Sequence, residues 1–430
     1  MEKIGNLVKL VLMGILTTAT TLGFNACTSD DNQYSQETLT TKSYDRTVAP
    51  QRTVLIYMAG KSDLSTDTDK RHYLNEDLEE IKQGSRLIGD DDCLLVFVRR
   101  YQVGNAAETP WLARIWNGEV VDSVSVADMG IENTDARACD PEVMEQVMSY
   151  AFNHYPAKRD YGLVLWSHST GWMIEDEMPV TRAFGLDKGN TVGTTGKWIN
   201  IPTMSKVLSR LPHLRFIMAD CCNFMCLESL YELRGVADYV IGSPAEIPGR
   251  GAPYDKIVTS LFEHETFYTS IVDKYQASVK GKLPLSVVKM SEMENVAQAT
   301  ARVMQSVNRN LSGNYPDMTG VIHYGHYYKY PKFLAENNLF YDAGDFISRY
   351  APASDYQQWK QALDKAVVKK HIAYAWNTQE SWDVFYADFK MTEEKFHGVS
   401  MFVPQNPSTV RCAQYNEDIK QMQWYYAINK

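Results

Sequence analysis

The chain has 430 residues, 44% of them hydrophobic, and a formal net charge of −10. That length supplies apolar material for a large core and leaves room for about two or three domains. The acidic balance, with no basic run or stripe, argues against a general nucleic-acid binder.

The first stretch reads as a leader rather than part of a fold. "MEKIGNLVK" gives a basic start, and "LVLMGILTTATTLGF" is apolar but too short and threonine-rich for a membrane span, so residues 1–26 are expected to be a signal peptide. It closes on "NAC", which resembles a bacterial lipoprotein lipobox with Phe24 in place of the usual aliphatic residue. Cys27 is then the expected lipid attachment point; the alternative is an ordinary signal peptide with a chance cysteine. Residues 27–50 are polar and aperiodic, a flexible tether. The acids just after Cys27 resemble the surface-export signals of Bacteroidetes lipoproteins. The expectation is an exported protein, lipid-anchored to the outer membrane, with the cell surface as its further destination.

From residue 52 strands and helices alternate. "RTVLIYMAG" is a buried parallel strand ended by glycine, "LNEDLEEIKQGS" a helix, and "DCLLVFVRRY" a second strand. "WLARIWNGEVVDSVSV" reads as a hairpin turning at Asn117-Gly118. "DPEVMEQVMSYAFNHYP" is a helix of about four turns with Asp140 as N-cap and Pro141 at its first position. "YGLVLWSH", "HLRFIMAD" and "ADYVIGSP" are further strands, with "IPTMSKVLSRLP" and "CNFMCLESLYELRG" as helices between them. The pattern predicts an α/β fold with a mostly parallel sheet covered on both faces, spanning residues 51–254. Residues 255–430 read as an α+β region packed on that sheet. Here "KIVTSLFEHETFYTSIVDKYQASVKG", "MENVAQATARVMQSVNRNLSG" and "DYQQWKQALDKAVVKKHIAYAW" are predicted helices and "FHGVSMFVP" a late strand.

In such sheets ligands bind beyond the carboxyl ends of the strands. "LVLWSHSTGW" delivers His168 there, and "LRFIMADCC" delivers Asp220, Cys221 and Cys222. A thiol at a helix N-terminus has its pKa lowered, and a neighbouring histidine can shuttle its proton, which is the layout of a Cys–His dyad. A lone histidine after a strand can equally be a structural residue. Beyond Cys27 six cysteines remain: Cys93, Cys139, Cys221, Cys222, Cys226 and Cys412. The even number would allow disulfides in an exported protein, but a chain of this size folds without them, and free buried thiols are expected. A vicinal Cys221–Cys222 disulfide is strained. A zinc site is also disfavoured, since adjacent cysteines point apart and no Cys-x-x-Cys pair is present.

"WSHSTGW" resembles the Trp-x-His-Gly-x-Gly-Trp strand end of the clostripain family of cysteine peptidases, and "DCCNFMCLESLYEL" resembles that family's Asp-Ala-Cys-Leu-Met-Gly-x-x-Glu-x-x-Tyr-Glu-Leu. The resemblance starts at "TVLIYMAGKSDL", continues through "VADYVIGSPAEIPGRGAPY" and closes at "FYDAGDF" and "GVSMFVP". It implies a caspase-like fold and a cysteine endopeptidase. Glu228 and Tyr231 set the register, so Cys222 matches the nucleophile and His168 its partner, while Cys226 falls in the helix as a packing thiol. The oxyanion hole is implied to be the backbone N–H groups of Ser169 and Cys222. Ser169 stands where the family prefers glycine, and a serine can donate its N–H only where its φ is negative. Asp220 matches the acid of the pocket that selects Arg or Lys before the cleaved bond; its bland alternative is a helix N-cap. The resemblance also implies self-cleavage between His168 and Cys222, with Arg182-Ala183 the best-placed bond and Lys188 and Lys197 competing. Calcium accompanies some relatives, and Glu175, Asp176 and Glu177 are candidate ligands, but no metal and no other cofactor is expected. His323 and His326 could share one strand face as a metal pair, although packing is the expected role. Expected partners are peptides or proteins with basic residues and, through the lipid, a membrane; nucleic acid is not expected, and the chain is expected to be a monomer. The rival reading is a catalytically silent surface lipoprotein of the same fold that binds peptide or glycan, kept open by Ser169.

Overall fold

The computed structural model describes residues 49–429, except 66–71, 102–107, 134, 175–182, 191–195, 325–338, 374–375, 378–384, 387–390 and 409. The leader, Cys27 and the tether expected before residue 49 lie outside the described residues. β1 (Arg52–Ala59), eight buried residues, is followed by α1 (Tyr73–Ser85) and by β2 (Cys93–Arg99), which pairs parallel to β1. β3 (Trp111–Trp116) and β4 (Glu119–Ser125) form the expected hairpin. Its turn residues Asn117 and Gly118 both have positive φ, 50° and 84°, which suits a two-residue turn between twisted strands.

Next come α2 (Pro141–His154), β5 (Asp160–Trp166), β6 (Phe184–Asp187), β7 (Lys197–Ile199), α3 (Ile201–Leu208), β8 (Leu214–Asp220), α4 (Leu227–Glu232) and β9 (Ala237–Gly242). Asp140 occupies the N-cap of α2, but its side chain makes no capping hydrogen bond. The later elements are α5 (Tyr254–Ile257), α6 (Phe267–Val279), β10 (Leu285–Lys289), α7 (Met293–Leu311), β11 (Tyr341–Asp342), α8 (Ala343–Tyr350), α9 (Ala353–Ala366) and β12 (Val367–His371). The short pair β13 (Trp376–Asn377) and β14 (Phe385–Tyr386), then β15 (Ser400–Met401), α10 (Val410–Asp418) and α11 (Gln423–Ile428) complete the chain.

Nine strands share one sheet in the order β12-β10-β9-β8-β5-β1-β2-β3-β4. The five central strands, β9 to β2, are mutually parallel, and antiparallel pairs finish both edges. Helices cover both faces. Met144 of α2, Met204 of α3, Leu230 of α4 and Val303 of α7 belong to one apolar layer. Leu78 of α1, Ile257 of α5 and Ile271 of α6 belong to the other. This is the α/β architecture with a mostly parallel sheet that the pattern predicts. Because β1 is followed by β2 on one side and β5 leads to β8 and β9 on the other, the order reverses between β1 and β5. Such a switch point opens a crevice beyond the strand ends.

Three expectations change. The helix predicted through residue 376 stops at Ala366, and Val367–His371 instead pairs antiparallel with β10. The β-branched pair Val367-Val368 fits an edge strand, and Lys369 and Lys370 blunt that edge. The long helix expected over residues 256–281 is broken into α5, a 3₁₀ segment (Val258–Phe262) and α6. The helix expected to start at Cys222 starts at Leu227. Asn223 sits at φ 54°, and the backbone N–H groups of Asn223 and Met225 are taken by the carbonyls of Ala245 and Ser243, so tertiary bonds override helical ones.

Candidate active site

Trp166 at the end of β5 lies in register with Asp220 at the end of β8. His168 and Cys222 each stand two residues further on. They therefore leave adjacent parallel strands, spaced about 4.8 Å, at one level. Their loops touch. A side chain on Gly171 (φ 63°) would lie 2.6 Å from the Asn223 carbonyl, so glycine is needed where the two loops cross.

The Cys222 thiol is half-buried. Its Sγ donates to the Ile247 carbonyl at 3.7 Å and accepts from the Ile247 N–H at 3.4 Å. Burial pushes its pKa up to about 11; the Ile247 N–H partly opposes this, and the charge of Asp220 adds to it. The activation expected from a helix N-terminus is therefore absent, since α4 begins five residues later. Cys221 is buried in the core, and burial raises its thiol well above the ordinary value. Cys93, Cys139, Cys221, Cys222 and Cys226 are all free. Cys226 packs inside with its Sγ against Ser229 Oγ at 3.1 Å. Asn223 Nδ2 donates to the carbonyls of Pro244 and Tyr324, the Ser400 N–H to the Met225 carbonyl, and the Phe402 N–H to Glu228 Oε1. The C-terminal region thus braces the cysteine loop. This gives Glu228 a physical role: it is a fully buried acceptor whose carboxyl burial pushes up to about 7.

His168 is about a third exposed, and its Nε2 lies 3.1 Å from Asp63 Oδ1. Its carbonyl accepts the Gly185 N–H, and Ser169 bridges Phe184, so the histidine loop is stitched to β6. Ser169 is not among the residues of positive φ. Its N–H can therefore be presented as a glycine's would be, which removes the objection raised by its side chain. Its Oγ accepts the Gly171 N–H at 3.1 Å.

Asp220 caps no helix. Its Oδ2 accepts from the Ala252 N–H at 2.9 Å and the Tyr254 hydroxyl at 2.8 Å, and its Oδ1 from the Tyr275 hydroxyl at 3.1 Å. Burial raises its carboxyl, and those three donors partly offset the rise. A second buried acid, Asp77 of α1, is held by the Trp166 indole N–H at 2.6 Å. Burial, reinforced by the charge of Asp220, pushes Asp77 up to about 10. The two carboxylates converge on Gly251 (φ 61°), where a Cβ would lie 2.7 Å from Asp220 Oδ2 and 3.1 Å from Asp77 Oδ2.

Of the other residues singled out, Arg182, Glu175, Asp176, Glu177 and His326 lie outside the described residues. Ala183 is fully buried and its carbonyl accepts the Thr170 N–H. Lys188 follows β6, and Lys197 opens β7, paired with Asp187. His323 is buried beside Tyr341, ring centroids 6.1 Å apart, and burial lowers its pKa to about 3. Sequence reasoning missed Asp63 and Asp77. The available signal for Asp63 was an acid just past the carboxyl end of a buried strand; for Asp77 it was an acid on the inward face of an amphipathic helix.

The profile of the clostripain family matches residues 56–430. The chain belongs to the clostripain family. A secreted C11 cysteine protease from Bacteroides thetaiotaomicron, solved in complex with an irreversible peptide inhibitor, is 27% identical with a TM-score of 0.68; the match covers 88% of this chain and 99% of that one. An inactive zymogen C11 protease from Parabacteroides distasonis is 26% identical with a TM-score of 0.70, covering 89% and 99%. No curated protein matches the chain. This clostripain-family chain is a cysteine peptidase, a hydrolase whose substrates are peptides or proteins.

Proposed function

We propose that the chain is an exported cysteine endopeptidase that cuts after Arg or Lys, with Cys222 as nucleophile and His168 as its acid–base partner. The observation that carries this reading is the shared level of the two residues on adjacent strands, with their loops locked at Gly171 and Asn223. With its thiol pushed up to about 11, Cys222 is protonated at rest, so attack requires the Sγ proton to pass to the imidazole as the S–C bond forms. The tetrahedral oxyanion then faces the backbone N–H groups of Ser169 and Cys222. His168 returns the proton to the leaving amine, the C–N bond breaks, and a water deprotonated by His168 releases the acyl group.

Asp220 is the selectivity acid. It lies beside the nucleophile at the base of a site where a buried cation needs an anion, and its tyrosine donors hold it in place. Processing between His168 and Cys222 belongs to the same reading, and one relative is an inactive zymogen. Cleavage at Arg182-Ala183 would require Ala183 and β6 to leave the histidine loop, because a peptidase reads an extended segment on both sides of the bond. Export agrees with a secreted relative, and Cys27 would tether a monomer to the outer membrane.

The test is hydrolysis of fluorogenic peptides ending in Arg, Lys, Asp or Ala, with Cys222→Ala in parallel. Cleavage after Arg or Lys that vanishes in the variant supports nucleophile and pocket together. Equal turnover by both proteins would remove Cys222 from the mechanism. Self-processing is tested on the same pair: the parent splits between His168 and Cys222 and the variant stays whole, while equal splitting of both means another protease does it.

A further inference from the structure

We propose that Asp63 is a positioning residue for His168, holding the imidazole through Nε2 so that Nδ1 is the nitrogen that serves Cys222. The inference rests on the dyad reading above and deepens it. Three adjacent strands deliver the three residues in spatial order: β8 leads to Cys222, β5 to His168 and β1 to Asp63. The histidine loop therefore leaves the sheet between the loop that carries Cys222 and the turn that carries Asp63, across the switch point. Nε2 is 3.1 Å from Asp63 Oδ1. With Nε2 engaged by Asp63, Nδ1 is the ring nitrogen assigned to Cys222.

The acid sits on a built turn. Ser62 N–H donates to the Gly60 carbonyl at 2.7 Å, Leu64 N–H to Ser62 Oγ at 3.3 Å, and Ser65 N–H to the Ser62 carbonyl at 3.2 Å. Gly60 N–H is tied to Arg99 of β2, and the Lys61 carbonyl accepts the Lys188 N–H. Ser62 and Ser65 are buried while Asp63, between them, is half-exposed and turned to the histidine. Burial works against its charge, yet the hydrogen bond and charge of His168 outweigh that and hold the carboxyl well below the usual range. Lys188 pulls in the same direction. The Trp198 ring lies 6.4 Å from the imidazole centroid, and the Lys61 ammonium is engaged by Asn190.

The chemical consequence is twofold. An anion on Nε2 selects the tautomer with the proton on Nε2, which leaves the Nδ1 lone pair free to accept the thiol proton. The same anion stabilises the imidazolium formed by that transfer. The carboxylate itself takes no proton, as in other acid-backed catalytic histidines.

The test uses the full chain with Asp63→Asn, which keeps an acceptor but loses the charge, and Asp63→Ala, which loses both. For an Arg peptide, kcat is expected to fall about 100-fold in Asp63→Ala and less in Asp63→Asn, with KM within about twofold of the parent. The acidic limb of the kcat/KM profile moves to lower pH in both variants. Alkylation of Cys222 by iodoacetamide across pH provides a readout that needs no peptide turnover, and it slows in both. A kcat within about twofold of the parent overturns the proposal. So does a fall in kcat matched by a lower Tm with no shift of the acidic limb, because that is a purely structural bridge. If the parent does not turn over the Arg peptide yet Asp63→Asn slows its alkylation, the positioning role stands and the Arg/Lys reading falls. Identical alkylation profiles for parent and variants remove the positioning role whatever the turnover.

Discussion

His168 and Cys222 leave neighbouring strands at one level, but they stand in different surroundings. The imidazole is about a third exposed and faces a carboxylate on a hydrogen-bonded turn. The thiol is pinned between the N–H and carbonyl of Ile247, beside a buried acid that makes its ionisation harder. One side of the site sets a carboxylate against the imidazole, and the other resists a negative charge on the thiol. Under the proposed dyad, the difference teaches that reactivity belongs to the pair: the thiol loses its proton when the imidazole can take it.

The largest test of that contrast removes either partner. Cys222→Ala and His168→Ala should each lower kcat/KM on Arg peptides by at least about 1000-fold, measured fluorimetrically, whereas Cys221→Ala, one residue away in the core, keeps turnover. Loss of activity in Cys221→Ala with its Tm unchanged would mean that the nucleophile has been assigned to the wrong sulfur. Next comes the acid beneath the thiol. Asp220→Asn should cost about 3 kcal/mol of selectivity for Arg and Lys peptides, roughly 100-fold, because a buried cation loses its anion. An unchanged Arg-to-Ala peptide ratio would reassign the pocket.

Gly251→Ala should destabilise the chain by about 2 kcal/mol in denaturant melts, since its Cβ meets both carboxylates at a positive φ. A wild-type midpoint would show that the carboxylates do not converge there. The last test concerns Asp77. Its folded pKa, pushed up to about 10, lies above the unfolded value of about 3.9. The folded state thus keeps a proton that the unfolded state gives up, and stability falls as pH rises through that window. Asp77→Asn should flatten the fall, so that it gains Tm relative to the parent at pH 9 but not at pH 4. Parallel Tm–pH curves would show that Asp77 is ionised in the fold.

Much of this was legible in local pattern. The hairpin at Asn117-Gly118, α1, α2 and the central strands follow from periodicity and turn chemistry, and the strand ends at His168 and Cys222 follow from where an α/β sheet keeps its chemistry. What escaped was pairing at long range. Asp63 meets His168 across 105 residues, and Asp77 meets Trp166 across 89. No periodicity encodes either contact. The short α4 escaped for a related reason: "CCNFMCLESL" has helical residues, but loops far along the chain take its first N–H groups. β12 escaped because a Val-Val-Lys-Lys edge reads as the end of the preceding helix until β10 supplies its partner.

The bond from the Phe402 N–H to Glu228 spans 174 residues. A chain emerging from the ribosome, or being threaded through a membrane, displays Cys222 long before Ser400 and Phe402 exist to brace its loop. The cysteine is made early and its support late. Until the last tenth of the polypeptide arrives the cysteine loop lacks these ties, so the order of synthesis itself delays full assembly of a proteolytic site inside the cell that makes it.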